Sequence, residues 1–238
     1  MTAKPRRPAA PAITPAEMAR RIDHTLLKPQ ATAADILRLC DEARMAAMAA
    51  VCVNPVYVPL AAERLTGSDV RVCTVVGFPL GATATAVKVL EARLAIESGA
   101  REIDSVMFVG GLKGGDETAV LDDLRAVAEV CRSTGALCKV ILETCLLTDE
   151  EKDRAVELAA RSGAHYVKTS TGFGAAGATV EDVTRLAARA HPLGVCVKAS
   201  GGIRSLDDAL RMLAAGADRI GTSNGAAILR ELEGRTSA

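Results

Sequence analysis

Short apolar runs alternate with helical stretches eight times along this chain of 238 residues. The runs are rich in β-branched residues and rarely alternate with polar ones, which is typical of strands buried on both faces of a parallel sheet. Four of the helical stretches open with Ser or Thr followed three residues later by an acidic residue, a helix-capping pattern. The predicted strands are 22–26, 51–53, 70–76, 102–107, 137–143, 165–168, 195–200 and 218–222. The capping pairs are Thr32 with Asp35, Thr148 with Glu151, Thr179 with Asp182, and Ser205 with Asp208.

Eight strand-helix units in a chain of about 250 residues are the pattern of a (β/α)8 TIM barrel, an α/β fold. The alternative is an open doubly wound sheet, which would carry a glycine-rich turn after its first strand. Leu26, Leu27, Lys28 and Pro29 follow that strand instead, so the barrel is favoured. We predict one barrel domain over residues 16–238, with a glycine-rich loop at 110–115. The proline-rich residues 1–15 are predicted to be a disordered tail.

Charge, hydropathy, and the number and spacing of cysteines and histidines bear on the partners, the compartment and the cofactors expected for this chain. The chain has 29 basic and 29 acidic residues, so nothing favours nucleic acid or an anionic membrane as a partner. No apolar run approaches the roughly 18 residues of a membrane span. Seven cysteines without a CxxC pair indicate buried thiols in a reducing cytoplasm. The three histidines are not spaced with cysteines or carboxylates as metal ligands, so we expect no metal and no other cofactor.

Two lysines end similar apolar runs. Lys168 lies in HYVKTSTG and Lys198 in VCVKASGG, one strand-helix-strand unit further along. If the two strands are parallel neighbours, both lysines lie at the same edge of the sheet. Two buried ammonium groups repel each other, and burial disfavours the charged form. One lysine is therefore expected to be neutral near pH 7, when it can attack a carbonyl carbon.

Other polar side chains occupy the ends of predicted strands, where a barrel places its active site. Because a charge inside an apolar strand is costly unless it is paired, their convergence favours a site. A satisfied polar layer in the barrel core is the alternative, and it stays open for Asp23, Lys139 and Glu143. The strand-end residues are Asp23, Thr25, Asn54, Asp104, Lys139, Glu143, Thr222 and Ser223.

Glycines follow the last three predicted strands. Loops after the seventh and eighth strands of barrels often bind phosphate through backbone N–H groups and a helix N-terminus. The doublet Gly201-Gly202 before a capped helix is the stronger signal, with Ser223 as an added donor. Gly172 and Gly221 fit the same role, although a simple turn explains them equally well.

The motifs together resemble deoxyribose-phosphate aldolase, in register from about residue 20 to 230. The matching segments are DHTLLKP (23–29), VCVNP (51–55), VVGFPLG (75–81), EID (102–104), KVILET (139–144), VKTSTGF (167–173), VKASGGIR (197–204) and RIGTS (219–223). Residues 105–108 depart from the family pattern, which puts the pocket shape there in doubt.

The resemblance implies a cytoplasmic, metal-free class I aldolase of deoxyribose phosphate catabolism, a lyase acting on a small phosphorylated sugar. It implies that the enzyme reversibly cleaves 2-deoxy-D-ribose 5-phosphate to D-glyceraldehyde 3-phosphate and acetaldehyde. Lys168 is then the Schiff-base lysine, Lys198 lowers its pKa and takes part in proton transfer, and Asp104 relays protons as acid and base. A homo-oligomer, specifically a dimer, is implied by the resemblance alone. The expected substrate contacts are Asp23, Thr25, Lys139, Gly172, Gly201, Gly202 and Ser223.

Two other functions remain open from the sequence. One is another phosphate-binding barrel enzyme, with transaldolase-like or sugar-phosphate isomerase chemistry. The other is a non-catalytic sugar-phosphate sensor on the same barrel. The presence of Lys168, Lys198 and Asp104 argues against a sensor, because binding a phosphate requires none of them.

Overall fold

Eight parallel strands form a closed barrel in the computed structural model, which describes residues 13–236. Each strand pairs with its neighbour in sequence, and the last closes on the first with Ile22 opposite Ile220. The predicted (β/α)8 barrel is therefore confirmed. The strands are β1 Ile22–Leu26, β2 Ala50–Val53, β3 Arg71–Val76, β4 Glu102–Val106, β5 Leu137–Ile141, β6 Tyr166–Lys168, β7 Cys196–Ser200 and β8 Arg219–Thr222.

Helices connect the strands and surround the barrel. They are α1 Pro15–Ala19, α2 Ala33–Met45, α3 Val58–Arg64, α4 Thr85–Glu97, α5 Val109–Lys113, α6 Glu117–Thr134, α7 Asp149–Ser162, α8 Val180–Ala190, α9 Leu206–Ala214 and α10 Gly225–Thr236. All four predicted caps are present, at the first turns of α2, α7, α8 and α9. Between residues 13 and 236, no helix has both the length and the hydrophobicity needed to cross a bilayer.

The apolar core and the charged residues occupy different places. The main core lies between strands and helices, where residues such as Ile103, Val140 and Val197 are fully or almost fully buried. A smaller separate cluster consists of Leu27, Ala50, Cys52, Cys73 and Val75. Successive side chains of a strand point to opposite faces, so the residues alternating with the main-core positions point into the barrel. Many of these are charged, and they form the candidate site.

Three local predictions differ from the structure. The predicted loop 110–115 contains most of α5, because Gly111 is buried so closely under the Phe108 ring that a Cβ would lie 2.5 Å from it. The fifth strand ends two residues early, at Ile141, because Glu143 has a left-handed φ of 55° and precedes a 3-10 turn.

The prediction of a disordered tail over residues 1–15 does not hold for its last three residues. Its residues 1–12 lie outside the described part of the chain. Within the remainder, Ile13 packs on the core, and the Thr14 side chain caps α1, which begins at Pro15. The ordered structure therefore includes the last three residues assigned to the tail.

Candidate active site

Asp104 is the centre of a buried cluster inside the barrel. Its Oδ2 accepts from Lys168 Nζ and Lys198 Nζ, each at 2.8 Å, and its Oδ1 accepts from Lys139 Nζ at 2.8 Å. Strand register places Asp104 opposite Lys139 and Lys168 opposite Lys198. Asp104 on β4 meets the second pair across the barrel interior, because β4 is not adjacent to β6 or β7. One carboxylate thus holds three lysines by charge-assisted hydrogen bonds.

The two lysines singled out in the sequence do converge. Because Lys168 Nζ and Lys198 Nζ share one oxygen, they lie no further apart than twice 2.8 Å. Lys198 is completely buried, whereas Lys168, the last residue of β6, keeps 2% of its surface exposed. Because Lys168 ends its strand, it lies at the carboxyl-terminal end of the barrel, where a substrate enters.

A second group of charges lies beneath Asp104. Asp23 accepts from Lys198 Nζ at 2.5 Å and from Arg219 at 2.6 Å. Glu102 forms an ion pair with Lys139 Nζ at 2.6 Å and lies 3.5 Å from Arg219. The ion pairs therefore continue without interruption from Lys168 to the amino-terminal end of the barrel.

Sequence reasoning did not assign Glu102 and Arg219 to the site. A signal was nevertheless available, because Glu102 is two residues before Asp104 and Arg219 two residues before Gly221. A spacing of two puts residues on the same face of a strand.

The protonation of the cluster follows from its pairing. Burial alone would raise the pKa of Asp104, but Lys139, Lys168 and Lys198 outweigh it and hold that pKa well below its usual range. Burial would lower the pKa of Lys198, but Asp104 and Asp23 raise it above the ordinary lysine value. The pKa of Lys139 is raised for the same reason, by Asp104, Cys73 and Glu102. Lys139 and Lys198 therefore remain ammonium ions near neutral pH.

Without Lys168, the positive and negative charges of the buried cluster balance. The three carboxylates balance the three other cations, so a protonated Lys168 would be an excess positive charge in a buried site. The carboxylates are Asp23, Glu102 and Asp104, and the other cations are Lys139, Lys198 and Arg219.

The predicted phosphate-binding glycines lie in loops after β6 and β7. Gly172, Gly201 and Gly202 have φ values of 86°, 86° and 80°, a region that favours glycine. A Cβ on Gly172 or Gly202 would meet no atom within 4 Å, so open space adjoins both backbones. Ser223 is exposed just before α10.

Hydrogen bonds join the loop after β7 to the residues between β8 and α10. Thr222 Oγ1 donates to Ile203 O at 2.7 Å, and Asn224 Nδ2 donates to Arg204 O at 3.0 Å. The amino-terminal end of α10 is thereby fixed beside the Gly201-Gly202 loop. Such an arrangement offers N–H donors and a helix dipole to an anion.

The remaining predicted substrate contacts differ in their access to solvent. Thr25 is half-buried and donates from its hydroxyl to Asp23 O at 2.8 Å. Asp23 and Lys139 have no exposed surface, and their charged atoms already face partners within the cluster. Their geometry suits support of Asp104 and Lys198 better than direct contact with a substrate.

Glu143 supports the loop that carries Gly172. Its carboxylate accepts from the backbone N–H and the hydroxyl of Thr171. It also lines a small cavity of about 130 Å³ with Leu80 and Phe173. Phe173 packs edge-on against Phe78, with ring centroids 5.3 Å apart. Neither this cavity nor the packing of the two phenylalanines was predicted from the sequence.

Potential metal ligands occur in the cluster but are already paired with cations. Two groupings of suitable atoms exist among the described residues, one around Asp104 with two cysteines and one around Asp23 and Glu102 with Cys73. Each carboxylate oxygen there faces a lysine or arginine. A divalent cation at either position would be repelled by these groups.

The chain is similar to known proteins over most of its length. Residues 18–232 match the family described as DeoC/LacD family aldolase. Deoxyribose-phosphate aldolase of Thermococcus gammatolerans is 55% identical over 224 residues, covering 93% of this chain and 98% of the relative. That of Carboxydothermus hydrogenoformans is 53% identical over 222 residues, covering 92% and 97%. A tetrameric deoxyribose phosphate aldolase structure from Aeropyrum pernix superposes with a TM-score of 0.87 at 40% identity, covering 92% of each chain.

Proposed function

Because the chain belongs to the DeoC/LacD aldolase family, we propose that it reversibly cleaves 2-deoxy-D-ribose 5-phosphate to D-glyceraldehyde 3-phosphate and acetaldehyde. The observation that carries this proposal is the buried contact of one carboxylate, Asp104, with both Lys168 and Lys198. Curated relatives above 50% identity are deoxyribose-phosphate aldolases, and they support this substrate for the present chain. The reaction would be a step of deoxyribose phosphate catabolism.

Lys168 is the proposed nucleophile. Its neutral amine adds to the aldehyde carbon C1 of the open-chain sugar, and loss of water gives an iminium. The iminium withdraws electrons, so the C2–C3 bond breaks as the C3 hydroxyl loses its proton, and an enamine remains on the lysine. Protonation of the enamine at C2 and hydrolysis release acetaldehyde and restore Lys168.

Asp104 and Lys198 supply the proton transfers and the charge. Asp104 lies 2.8 Å from the reacting nitrogen of Lys168. From there it can take the proton from the C3 hydroxyl and return one to C2 of the enamine, either directly or through one water molecule. Lys198 stays protonated beside it and disfavours a second ammonium at Lys168. Because the iminium itself stabilises the developing negative charge, the proposed chemistry uses no metal and no other cofactor.

The substrate phosphate is assigned to the rim formed by Gly172, Gly201, Gly202 and Ser223. Their loops follow β6, β7 and β8, on the same side of the barrel as Lys168 and Lys198. Thr25 is assigned to the sugar, while Asp23 and Lys139 are assigned a supporting place beneath Asp104.

We also propose a homo-oligomer in the cytoplasm. The tetrameric relative from Aeropyrum pernix supports self-association, although it does not favour the dimer over a larger assembly. The seven free cysteines support a reducing compartment.

Reductive trapping tests the proposed function. Acetaldehyde with borohydride, in the presence of a strong chelator, should leave a reduced two-carbon adduct on Lys168 by peptide mass mapping. An adduct mainly on Lys198 or Lys139 would refute the assignment of the nucleophile. Trapping that requires an added divalent ion would refute the metal-free mechanism. Lys168→Met is uncharged, like the proposed neutral amine, but lacks the amine itself and should form no adduct.

A further inference from the structure

Two buried charges lie at the opposite end of the barrel from the reacting lysine. Arg219 is the first residue of β8 and Glu102 the first residue of β4, whereas Lys168 is the last residue of β6. Glu102 has no exposed surface, and Arg219 is 8% exposed. Both line a cavity of about 420 Å³ at this end, together with Arg20 and Asp69. No proposed step of the reaction touches either residue.

Arg219 holds Asp23 from below. Its guanidinium donates to Asp23 Oδ1 at 2.6 Å, while Asp23 Oδ2 accepts from Lys198 at 2.5 Å. The same guanidinium lies 5.7 Å from the centre of the Tyr166 ring. Asp23 is therefore fixed between two cations, and the position of Lys198 depends on it.

Glu102 holds Lys139 in the same way. It lies 2.6 Å from Lys139 Nζ, which in turn donates to Asp104 Oδ1 at 2.8 Å. Half-exposed Arg71 reaches the other Glu102 oxygen at 3.4 Å. Glu102 thus fixes the lysine that orients Asp104, and Asp104 touches the reacting amine.

We propose that Arg219 and Glu102 are positioning residues for the reaction at Lys168, and that they help to set the charge balance under which this amine loses its proton. The inference rests on the proposed function. Its physical basis is that charges interact over longer distances inside a protein than in water. A cation at position 219 disfavours an ammonium at Lys168, and an anion at position 102 favours one.

Other titratable groups surround Arg219 and Glu102 and contribute to the same charge balance at Lys168. They come from the neighbouring strands and from the cavity wall, and none belongs to the phosphate loops. The groups are Arg20, Asp23, Asp69, Arg71, Cys73, Asp104, Lys139, Tyr166, Cys196 and Lys198.

Two substitutions of opposite sign test the inference. Arg219→Met should move the rising limb of the pH profile of kcat/KM to higher pH by about one unit, as expected for the loss of one charge from the same buried cluster. Glu102→Gln should move it to lower pH. The double variant should return close to the original position, because both charges are gone. The KM for the phosphorylated sugar should change less than kcat in each.

Two comparisons separate this role from a structural one. Arg219→Lys keeps the charge and should restore the profile towards that of the unaltered enzyme. Lys88→Met removes a buried cation outside the cluster, so it should lower stability without moving the limb. Shifts of the same sign in Arg219→Met and Glu102→Gln, no shift in either, or a shift in Lys88→Met would overturn the inference. Trapping of Lys168 in the unaltered enzyme is a separate result, whose failure would refute the proposed function instead.

Discussion

At the scale of single residues, Asp104 is the group on which the others depend. It contacts all three barrel lysines and is the nearest acid or base to the Lys168 amine. Two carboxylates hold Lys198 in its ammonium form, in which it can donate a proton but cannot accept one. Substituting Asp104 alone therefore tests whether its carboxylate is needed for proton transfer.

Asp104→Asn should lower turnover by about 10² to 10⁴, the usual contribution of a positioned acid or base. Asparagine keeps the shape and some hydrogen bonds, so Lys168 should still be trapped by acetaldehyde and borohydride. Turnover should fall across the whole pH range, as measured by the rate of cleavage of the phosphorylated sugar. Full turnover in this variant would remove Asp104 from the proton-transfer step.

At the scale of elements, the features that depend on residues close in sequence were predicted, and those that depend on packing were not. The helix caps could be predicted because Thr32 and Asp35, for example, are only three residues apart. Helix α5 was missed because its two glycines suggest a loop, and the packing of Phe108 on Gly111 cannot be inferred from their spacing. Helix α1 carried a local signal, a capping box between Thr14 and Glu17, which the prolines upstream obscured.

The loop after β7 gives a prediction at this scale. Gly202→Val should raise the KM for 2-deoxyribose 5-phosphate far more than the KM for unphosphorylated deoxyribose, because a side chain would enter the space assigned to the phosphate. Gly194→Val is the matched control: Gly194 has a similar φ of 74° and open surroundings, but it precedes β7 at the other end of the strand.

The two glycine variants separate strain from binding. A valine at positive φ costs about 1–2 kcal/mol at either position, so both variants should lose stability. Only Gly202→Val should change the ratio of the two KM values. Equal losses for both sugars in Gly202→Val would mean that this glycine serves the turn alone.

At the scale of the whole molecule, barrel closure decides how much of the site the sequence reveals. Lys168 and Lys198 could be predicted as neighbours because one strand-helix unit separates them. Asp104 is 64 residues from Lys168, and Asp23 is 196 residues from Arg219. The second of these contacts exists only because β8 closes on β1. Spacing along the chain carries no information on which charges meet across the barrel interior, so the pairs beneath Asp104 were not predicted.

A second buried ion pair lies outside the barrel and takes no part in the proposed chemistry. Lys88 on α4 has no exposed surface, and its Nζ lies 2.6 Å from Asp123 on α6 and 2.9 Å from Val106 O at the end of β4. Thr85 Oγ1 donates to the other Asp123 oxygen at 2.8 Å. The pair therefore joins two neighbouring helices to a strand of the barrel.

Lys88→Met should lower the free energy of unfolding by about 3 to 5 kcal/mol, because it leaves the Asp123 carboxylate buried without a cation. The double variant Lys88→Met/Asp123→Leu should recover most of that loss, since apolar residues of similar volume often replace a buried pair at little cost. Urea unfolding at neutral pH measures both. A double variant as unstable as the single one would show that the helices need the ion pair itself, and that an uncompensated charge is not the cause of the loss.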